Sequence, residues 1–252
     1  MSEQRNHHTT GIILKKHALG ENDFAVTIYS PDLGKIQATA KGARKINASL
    51  SGHIETLNIC NFQLYKSPVR YTIVQCQVSE NFKKIRQNFN TAMTASMIVE
   101  IFHKSTFTNE HAPELFTLLE QSLHKLSNAD QHFLTVESFK LNLLQQIGVL
   151  PNLQNCGSCH ERWSSLHKIR LEKSGHLRCQ TCADTNQSDS AKPIEFNIIK
   201  LIHYLSQPFN TQTKKISFNA DQQQQLKHIT HFFLQHFLER EILSEKILQQ
   251  SS

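Results

Sequence analysis

Four cysteines have the residue type and the spacing of a metal site. Cys156 and Cys159 form one Cys-x-x-Cys pair, and Cys179 and Cys182 form a second pair after 19 intervening residues. Two such pairs supply the four thiolates that a tetrahedral zinc ion accepts. Because four protein ligands leave no open position for water or substrate, the sequence predicts a structural zinc site that does no chemistry. The alternatives are a pair of disulfides, unrelated free thiols, or His160 in place of one thiolate.

The excess of positive charge indicates a polyanionic partner. The 252-residue chain has 27 Lys and Arg against 21 Asp and Glu, which gives a net charge of +6. Residues 1–80 hold nine Lys and Arg against six Asp and Glu, and residues 156–192 hold six against four. Nucleic acid is the partner that this distribution favours, although many basic proteins bind none. The chain begins without the apolar stretch of a signal peptide and has no membrane-length apolar run, so we expect a cytoplasmic protein and no membrane.

The first 80 residues show the period of two that is typical of β-strands. Residues 35–41 follow a turn signal at 31–34 and alternate strictly, which places Lys35 and Lys41 on one face of a strand. Short strands are predicted near residues 12–14, 24–29, 35–41, 57–65 and 71–78. Five such strands with no intervening helix fit a small closed β-barrel of the oligonucleotide/oligosaccharide-binding type, the OB-fold. An SH3-like barrel would give much the same pattern. Cys60 and Cys76 lie in apolar segments and are predicted to be core residues.

From residue 81 the apolar period changes to three and four, which indicates amphipathic helices. Helices are predicted near residues 93–102, 115–123, 133–147, 198–205 and 226–248. Gly148 and Pro151 end the third of them. The predicted fold is therefore α+β and multidomain, with an α-helical bundle after the barrel. The predicted domains are the barrel at 1–80, the helical domain at 81–155 and 193–252, and a four-cysteine zinc-finger module inserted at 156–192.

A basic loop between the third and fourth strands is the candidate nucleic-acid contact. It has three cations within residues 41–45, beside Gly42. Such a loop can bind phosphates without reading bases, whereas the plain alternative is a solvated hairpin loop. The predicted phosphate contacts are Lys35, Lys41, Arg44, Lys45, Lys15, Lys16, Lys66 and Arg70. The rings that could stack on bases are Tyr29, Tyr65 and Tyr71.

No catalytic arrangement can be read from the sequence. The chain has 15 histidines, but none of them pairs with a carboxylate and a nucleophile at a recognisable spacing. The sequence also lacks a Gly-rich phosphate loop, a His-Glu-x-x-His motif and a Gly-x-Ser-x-Gly motif. We therefore expect a protein that is not an enzyme and has no small-molecule substrate.

Several segments, in the same order along the chain, resemble the RecO family of bacterial DNA repair proteins. The segments are residues 11–15, 20–30, 34–35, 40–45, 62–65 and 139–151, the last leading into Cys156-x-x-Cys159. The most specific of them are Lys-Gly-Ala-Arg-Lys at 41–45 and Leu-Leu-x-x-x-Gly-x-x-Pro at 143–151. The resemblance covers nearly the whole chain.

The resemblance implies an N-terminal oligonucleotide-binding barrel, a helical domain and a zinc module. It also implies a recombination mediator that binds single- and double-stranded DNA, anneals complementary strands and hydrolyses no nucleotide. With RecR, such a protein assists the loading of RecA onto DNA coated by single-stranded-DNA-binding protein. The C-terminal tail of that protein is the second implied protein partner, held in an apolar groove of the helical domain, and the implied location is the bacterial nucleoid.

Two other classes of protein compete with this interpretation. An RNA-binding or translation accessory protein is possible because a barrel with a zinc module suits RNA equally well. A metal-dependent hydrolase is disfavoured because four thiolates leave no open coordination position.

Overall fold

The computed structural model describes residues 5–45, 50–108, 111–128, 132–185, 192–208 and 218–238. The described residues form two compact units, of which the first ends at His132 and the second begins at Phe133. Unit 1 therefore holds helices as well as the barrel. The domain boundaries given above stay a prediction.

The predicted barrel is confirmed. Its strands are β1 (Asn6–Leu19), β2 (Asp23–Ser30), β3 (Gly34–Ala40), β4 (Ile59–Lys66) and β5 (Tyr71–Glu80). They close in the order β1-β2-β3-β5-β4, and β1 pairs with β4 to complete the barrel. Only β3 and β5 pair in parallel, and the other neighbours are antiparallel. A closed five-stranded barrel of this kind is the architecture of the oligonucleotide/oligosaccharide-binding fold.

The interior of the barrel is filled by the apolar half of the alternating pattern. The buried residues include Ile13, Val26, Ile28, Ile36, Ala38, Ala40, Phe62, Leu64 and Ile73. Cys60 and Cys76 belong to the same core and are free thiols, which confirms the interpretation of both as core residues. At Gly11 a Cβ atom would lie 2.6 Å from Ile28 Cγ2, so only glycine lets β1 approach β2 this closely.

Three helices of unit 1 follow the barrel: α1 (Lys83–Gln87), α2 (Phe89–Ser105) and α3 (Pro113–Asn128). The Asn88 side chain caps α2 by accepting a hydrogen bond from Thr91 N at 3.0 Å. Helix α2 packs against the outer face of β2, where the Tyr29 ring meets Phe102 edge-to-face at 4.8 Å. The Tyr29 hydroxyl also donates to Ala112 O at 3.0 Å. The outer face of β2 is therefore covered by protein.

Unit 2 is built around α4. Its elements are α4 (His132–Gln146), β6 (Ile169–Leu171), β7 (Leu177–Cys179), α5 (Gln180–Thr185), β8 (Lys192–Ile194), α6 (Phe196–Leu205) and α7 (Ala220–Leu238). Helix α4 buries an ion pair between Lys140 and Glu137 at 3.2 Å, and the Thr230 hydroxyl of α7 donates to the same carboxylate. The Asn142 side chain donates to Leu205 O at 2.7 Å, which ties α4 to the end of α6. The part of the predicted last helix beyond residue 238 lies outside the described residues. None of the described helices is long and apolar enough to span a membrane.

Candidate metal centre and nucleic-acid interface

The four predicted metal ligands come together in unit 2. The sulfur atoms of Cys156, Cys159, Cys179 and Cys182 all lie within 4.8 Å of one another. Those of Cys159 and Cys179 are 3.9 Å apart, and none of the four is in a disulfide bond. A tetrahedral ion with metal–sulfur bonds of about 2.3 Å holds its sulfur ligands about 3.8 Å apart. The spacing therefore fits a four-cysteine metal site, and His160 is not part of the cluster.

The backbone brings the two cysteine pairs together. The first pair lies in a short ribbon, in which Cys156 N–H donates to Glu161 O at 2.9 Å. The second pair spans the end of β7 and the start of α5. Gly157 N–H donates to Leu177 O at 2.8 Å, and a Cβ at Gly157 would lie only 3.2 Å from that oxygen. Glycine at this position therefore permits the close approach of the two turns.

The electrostatics of the cluster favours a bound cation. Burial raises the pKa of the Cys156 thiol, but N–H groups of Cys179, Cys159 and Ser158 stabilise the thiolate and lower the pKa to about 6. The neighbouring thiol of Cys179 raises the pKa of Cys182 to about 12. A bound metal ion would displace the thiol protons and hold the four sulfur atoms as thiolates.

The basic loop after β3 is anchored on the turn between β1 and β2. Arg44 N–H donates to Asn22 O at 2.9 Å, and the Arg44 guanidinium donates to Gly20 O at 2.5 Å. Gly42 N–H donates to the Asp23 carboxylate at 2.8 Å. The predicted contacts of this loop are all exposed: Lys41, Arg44 and Lys45. They form a cationic surface at one end of the barrel, and residues 46–49 of the loop lie outside the described residues.

Lys35 has a different environment from the other predicted contacts. Its side chain is 9% exposed, and its ammonium donates to His103 O at 2.8 Å and to Thr106 O. Both carbonyls belong to the end of α2, where they have no partners within the helix. Burial lowers the pKa of Lys35. Because α2 covers this part of the outer strand face, the structure removes Lys35 from the candidate interface.

Lys15 and Lys16 lie on β1 and differ in their surroundings. Lys15 is exposed. Lys16 is half-buried, with its ammonium 2.5 Å from the Glu55 carboxylate and 5.1 Å from the centre of the Phe24 ring. Lys15 is therefore the more available of the two to a ligand.

Lys66 and Arg70 flank the turn between β4 and β5, close to the seam between β3 and β5. Tyr71 pairs with Ala38 in parallel register. Lys41 lies three residues after Ala38, and Arg70 lies one residue before Tyr71. The two cations are therefore about four residues apart along the strands, which is about 13 Å at 3.3 Å per residue. The structure thus brings the turn and the basic loop to the same seam of the barrel.

Only part of the predicted stacking platform is available. Tyr29 is 1% exposed and packs under α2, so it cannot stack on a base. Tyr65 is 38% exposed on β4. Tyr71 is half-buried, and its ring lies edge-on to His7 at 5.8 Å. Tyr65 is the most accessible of the three rings.

A cleft of about 630 Å³ between β1 and α2 contains the predicted contact Lys15 together with Arg86 and Lys104, which the sequence analysis missed. Its lining includes the cations Lys15, Arg86 and Lys104 and the apolar residues Leu14, Leu57 and Val99. The Arg86 guanidinium is fixed by hydrogen bonds to Thr56 O at 2.7 Å and to Asn58 Oδ1 at 2.9 Å. Residues 81–155 hold six Lys and Arg against six Asp and Glu, so no local excess of charge marked Arg86 or Lys104.

The barrel and the four-cysteine cluster define a protein with an oligonucleotide-binding fold and a group of thiols that could hold a metal ion. Comparison with known proteins makes this assignment specific. The family model described as Recombination protein O N terminal matches residues 1–82, and the model described as Recombination protein O C terminal matches residues 86–246. The chain belongs to the RecO family of DNA repair proteins, which confirms the resemblance seen in the sequence.

Curated relatives agree with the family models, and each is named DNA repair protein RecO. The relative from Dehalococcoides mccartyi is 28% identical over 241 residues, which cover 96% of this chain and 94% of the relative. The relative from Acetivibrio thermocellus is 31% identical over 198 residues, 78% of each chain. The relative from Syntrophus aciditrophicus is 25% identical over 254 residues, 99% of this chain and 98% of the relative. The similarity therefore extends over both units.

Proposed function

We propose that this protein is a non-enzymatic recombination mediator that binds single- and double-stranded DNA and anneals complementary strands. The supporting observation is an oligonucleotide-binding barrel with exposed cations beside one seam, in a chain of the RecO family. Phosphate contacts made by Lys and Arg give binding that tolerates any sequence and weakens with salt. Such binding suits a protein that acts on whichever strands are damaged.

The proposed phosphate contacts are those that lie at the surface near the seam. The basic loop supplies the exposed Lys41, Arg44 and Lys45, and the β4–β5 turn supplies the half-buried Lys66 and the exposed Arg70. Lys15 and Lys16 extend the cationic surface along β1. Lys35 is not included, because its ammonium is already bound by the carbonyls of α2.

The metal is proposed to be zinc in a purely structural role. Four thiolates at tetrahedral spacing match the ligand preference of zinc and leave no position for a reacting water. Cys156, Cys159, Cys179 and Cys182 would hold the ion, which would stabilise the module that contains β6, β7 and α5. The site supplies no catalytic group, which supports a mediator over a hydrolase.

The proposed protein partners are RecR and the C-terminal tail of single-stranded-DNA-binding protein. With RecR, the protein would assist the loading of RecA onto coated DNA. The cleft between β1 and α2 has the chemistry that an acidic, apolar peptide requires, because cations surround an apolar floor. Glu100 is the acidic residue of its described lining, and it pairs with Lys104 at 2.7 Å. We therefore propose this cleft, in place of a groove confined to the helices, as the site of the tail.

The test of DNA binding is a triple variant of the basic loop in which Lys41, Arg44 and Lys45 are replaced by Ala. Each lost phosphate contact lowers the salt slope for a single strand by about 0.7, so we expect a total decrease of about 2. A triple Ala variant of three exposed lysines of unit 2 matches the change in net charge and should keep the slope: Lys173, Lys200 and Lys227. An unchanged slope in the loop variant would show that the loop assignment is wrong.

Annealing and partner binding are tested with coated strands. Complementary strands coated with the cognate single-stranded-DNA-binding protein should anneal faster when the tail is present than when it is deleted. Lys104→Glu, at a lysine of this cleft that is not among the proposed phosphate contacts, should remove this difference without changing the annealing of bare strands. Tighter binding to RNA than to matched DNA oligonucleotides, with no annealing, would support the RNA-binding alternative instead.

A further inference from the structure

Neutral hydrogen-bonding side chains cover the outer face of β1, β4 and β5. Two rows cross these three strands, because Asn61 pairs with both Thr10 and Gln77, and Gln63 pairs with both His8 and Gln75. We name this surface the amide face, and its members are His8, Thr10, Asn61, Gln63, Gln75 and Gln77. They border a cleft of about 490 Å³, within the range of small-ligand sites.

The chemistry of the amide face differs from that of the basic loop. No Lys or Arg lines the cleft in the described part of the chain, and its charged residue is Asp32. Thr10 donates to the Asn61 carboxamide at 2.9 Å, but the carboxamides of Gln75 and Gln77 make no hydrogen bond to any described residue. Both are exposed. The face therefore offers donors and acceptors to a ligand but repels a phosphate at Asp32.

We propose that the amide face binds unpaired bases of single-stranded DNA through their hydrogen-bonding edges. This inference rests on the proposed function. A carboxamide both donates and accepts, so it can bond to the Watson–Crick edge of any unpaired base, whereas a duplex uses that edge in base pairing. The amide face thus distinguishes single strands from duplexes without selecting a sequence.

The residues around the amide face indicate where the rest of a bound DNA strand would lie. Tyr65 follows Gln63 by two residues on β4, so its exposed ring lies on the same face, in position to stack on a neighbouring base. Lys66 and Arg70 lie at the end of the same two strands. If Lys66 and Arg70 bind the phosphates of a DNA strand, the bases of that strand can lie over the amide face. Continuity with these cations favours a nucleic acid over a protein as the occupant.

The test is the double variant Gln75→Leu/Gln77→Leu, with binding to a labelled single strand and to its duplex measured over a range of salt. We expect about 10-fold weaker binding to the single strand, from the loss of two or more hydrogen bonds. The salt slope should not change, because no phosphate contact is removed. Binding to the duplex should stay within about 2-fold, since the Watson–Crick edges of its bases are already paired.

Two controls separate chemistry from folding. Gln37→Leu removes an exposed carboxamide from the outer face of β3, where it bonds to Thr27 at 3.0 Å, and should leave both affinities unchanged. Gln75→Asn/Gln77→Asn keeps the carboxamides and should retain most of the affinity for the single strand. An unchanged ratio of single-strand to duplex affinity in the leucine variant would overturn the proposal. So would a change in its oligomeric state, which would make this face a protein interface. If the proposed function were wrong, the unmodified protein would bind neither the single strand nor the duplex, so that failure can be told apart from failure of the amide-face proposal.

Discussion

Replacement of Lys35 by Met tests whether this lysine stabilises the fold or binds DNA. Methionine keeps the length of the side chain and removes the ammonium that donates to His103 O and Thr106 O. A hydrogen bond to a charged group contributes about 1.5–3 kcal/mol, and the positive charge also interacts favourably with the C-terminal end of α2. Since both carbonyls would be left beneath an apolar side chain, we expect the free energy of unfolding of unit 1 to fall by about 3 kcal/mol.

The assay combines urea unfolding, hydrogen exchange and DNA binding. With a denaturant slope of about 3 kcal/mol per molar, the expected loss lowers the urea midpoint by about 1 M. Hydrogen exchange should become faster in peptides from β3 and the end of α2, which locates the effect in unit 1. The salt slope of DNA binding should not change, because Lys35 presents no ammonium to a phosphate.

Lys41→Met is the matched control, because Lys41 directly follows the same strand but is exposed. Its stability should stay within about 0.5 kcal/mol of the unmodified protein, and its salt slope for a single strand should fall by about 0.7. The opposite pattern would refute the reasoning: Lys35→Met with normal stability and a reduced salt slope would make Lys35 a phosphate contact after all.

Three further variants test the metal centre and the core of unit 2. Cys179→Ser should abolish bound zinc in metal analysis and shift the fluorescence of Trp163, the single tryptophan, because structural zinc contributes on the order of 10 kcal/mol in isolated fingers. Gly157→Ala should speed the release of zinc to a chelator, because its Cβ would press on a carbonyl oxygen of the second cysteine pair. Lys140→Met should cost about 3–5 kcal/mol in urea unfolding, since it leaves the Glu137 carboxylate buried without its partner, and Glu137→Leu added to it should restore most of that loss.

The local pattern of the sequence predicted which residues lie inside the barrel and which cysteines cluster. Ile36, Ala38 and Ala40 point into the core as the period of two required. The same period placed Lys35 on the outer face but could not show what covers that face. The outer face is covered there by the end of α2, where Lys35 donates to His103 O, 68 residues further along the chain. A contact between residues so far apart in sequence does not change the alternating pattern of a single strand.

The basic loop shows a second limit of sequence patterns. Its composition indicated cations that could bind phosphates, but it did not show that Arg44 is tied to the β1–β2 turn through backbone carbonyls of Asn22 and Gly20. Backbone acceptors are present at every residue, so the sequence cannot show which of them a cation will meet. The amide face was missed for a related reason, because Gln63, Gln75 and Gln77 become one surface only when β4 pairs with β5.

The two proposed kinds of DNA contact depend on salt in different ways, and this makes them separable in one experiment. Contacts by Lys41, Arg44 and Lys45 release counterions, so their contribution falls as salt rises. Hydrogen bonds from Gln75 and Gln77 release none, so their contribution stays the same. In a plot of log affinity for a single strand against log salt, the Gln75→Leu/Gln77→Leu variant should therefore give a line parallel to that of the unmodified protein and about one log unit below it. The basic-loop variant should give a shallower line. If both variants gave parallel lines, the loop would contribute no phosphate contact, and if both gave shallower lines, the amide face would be acting on phosphates and not on bases.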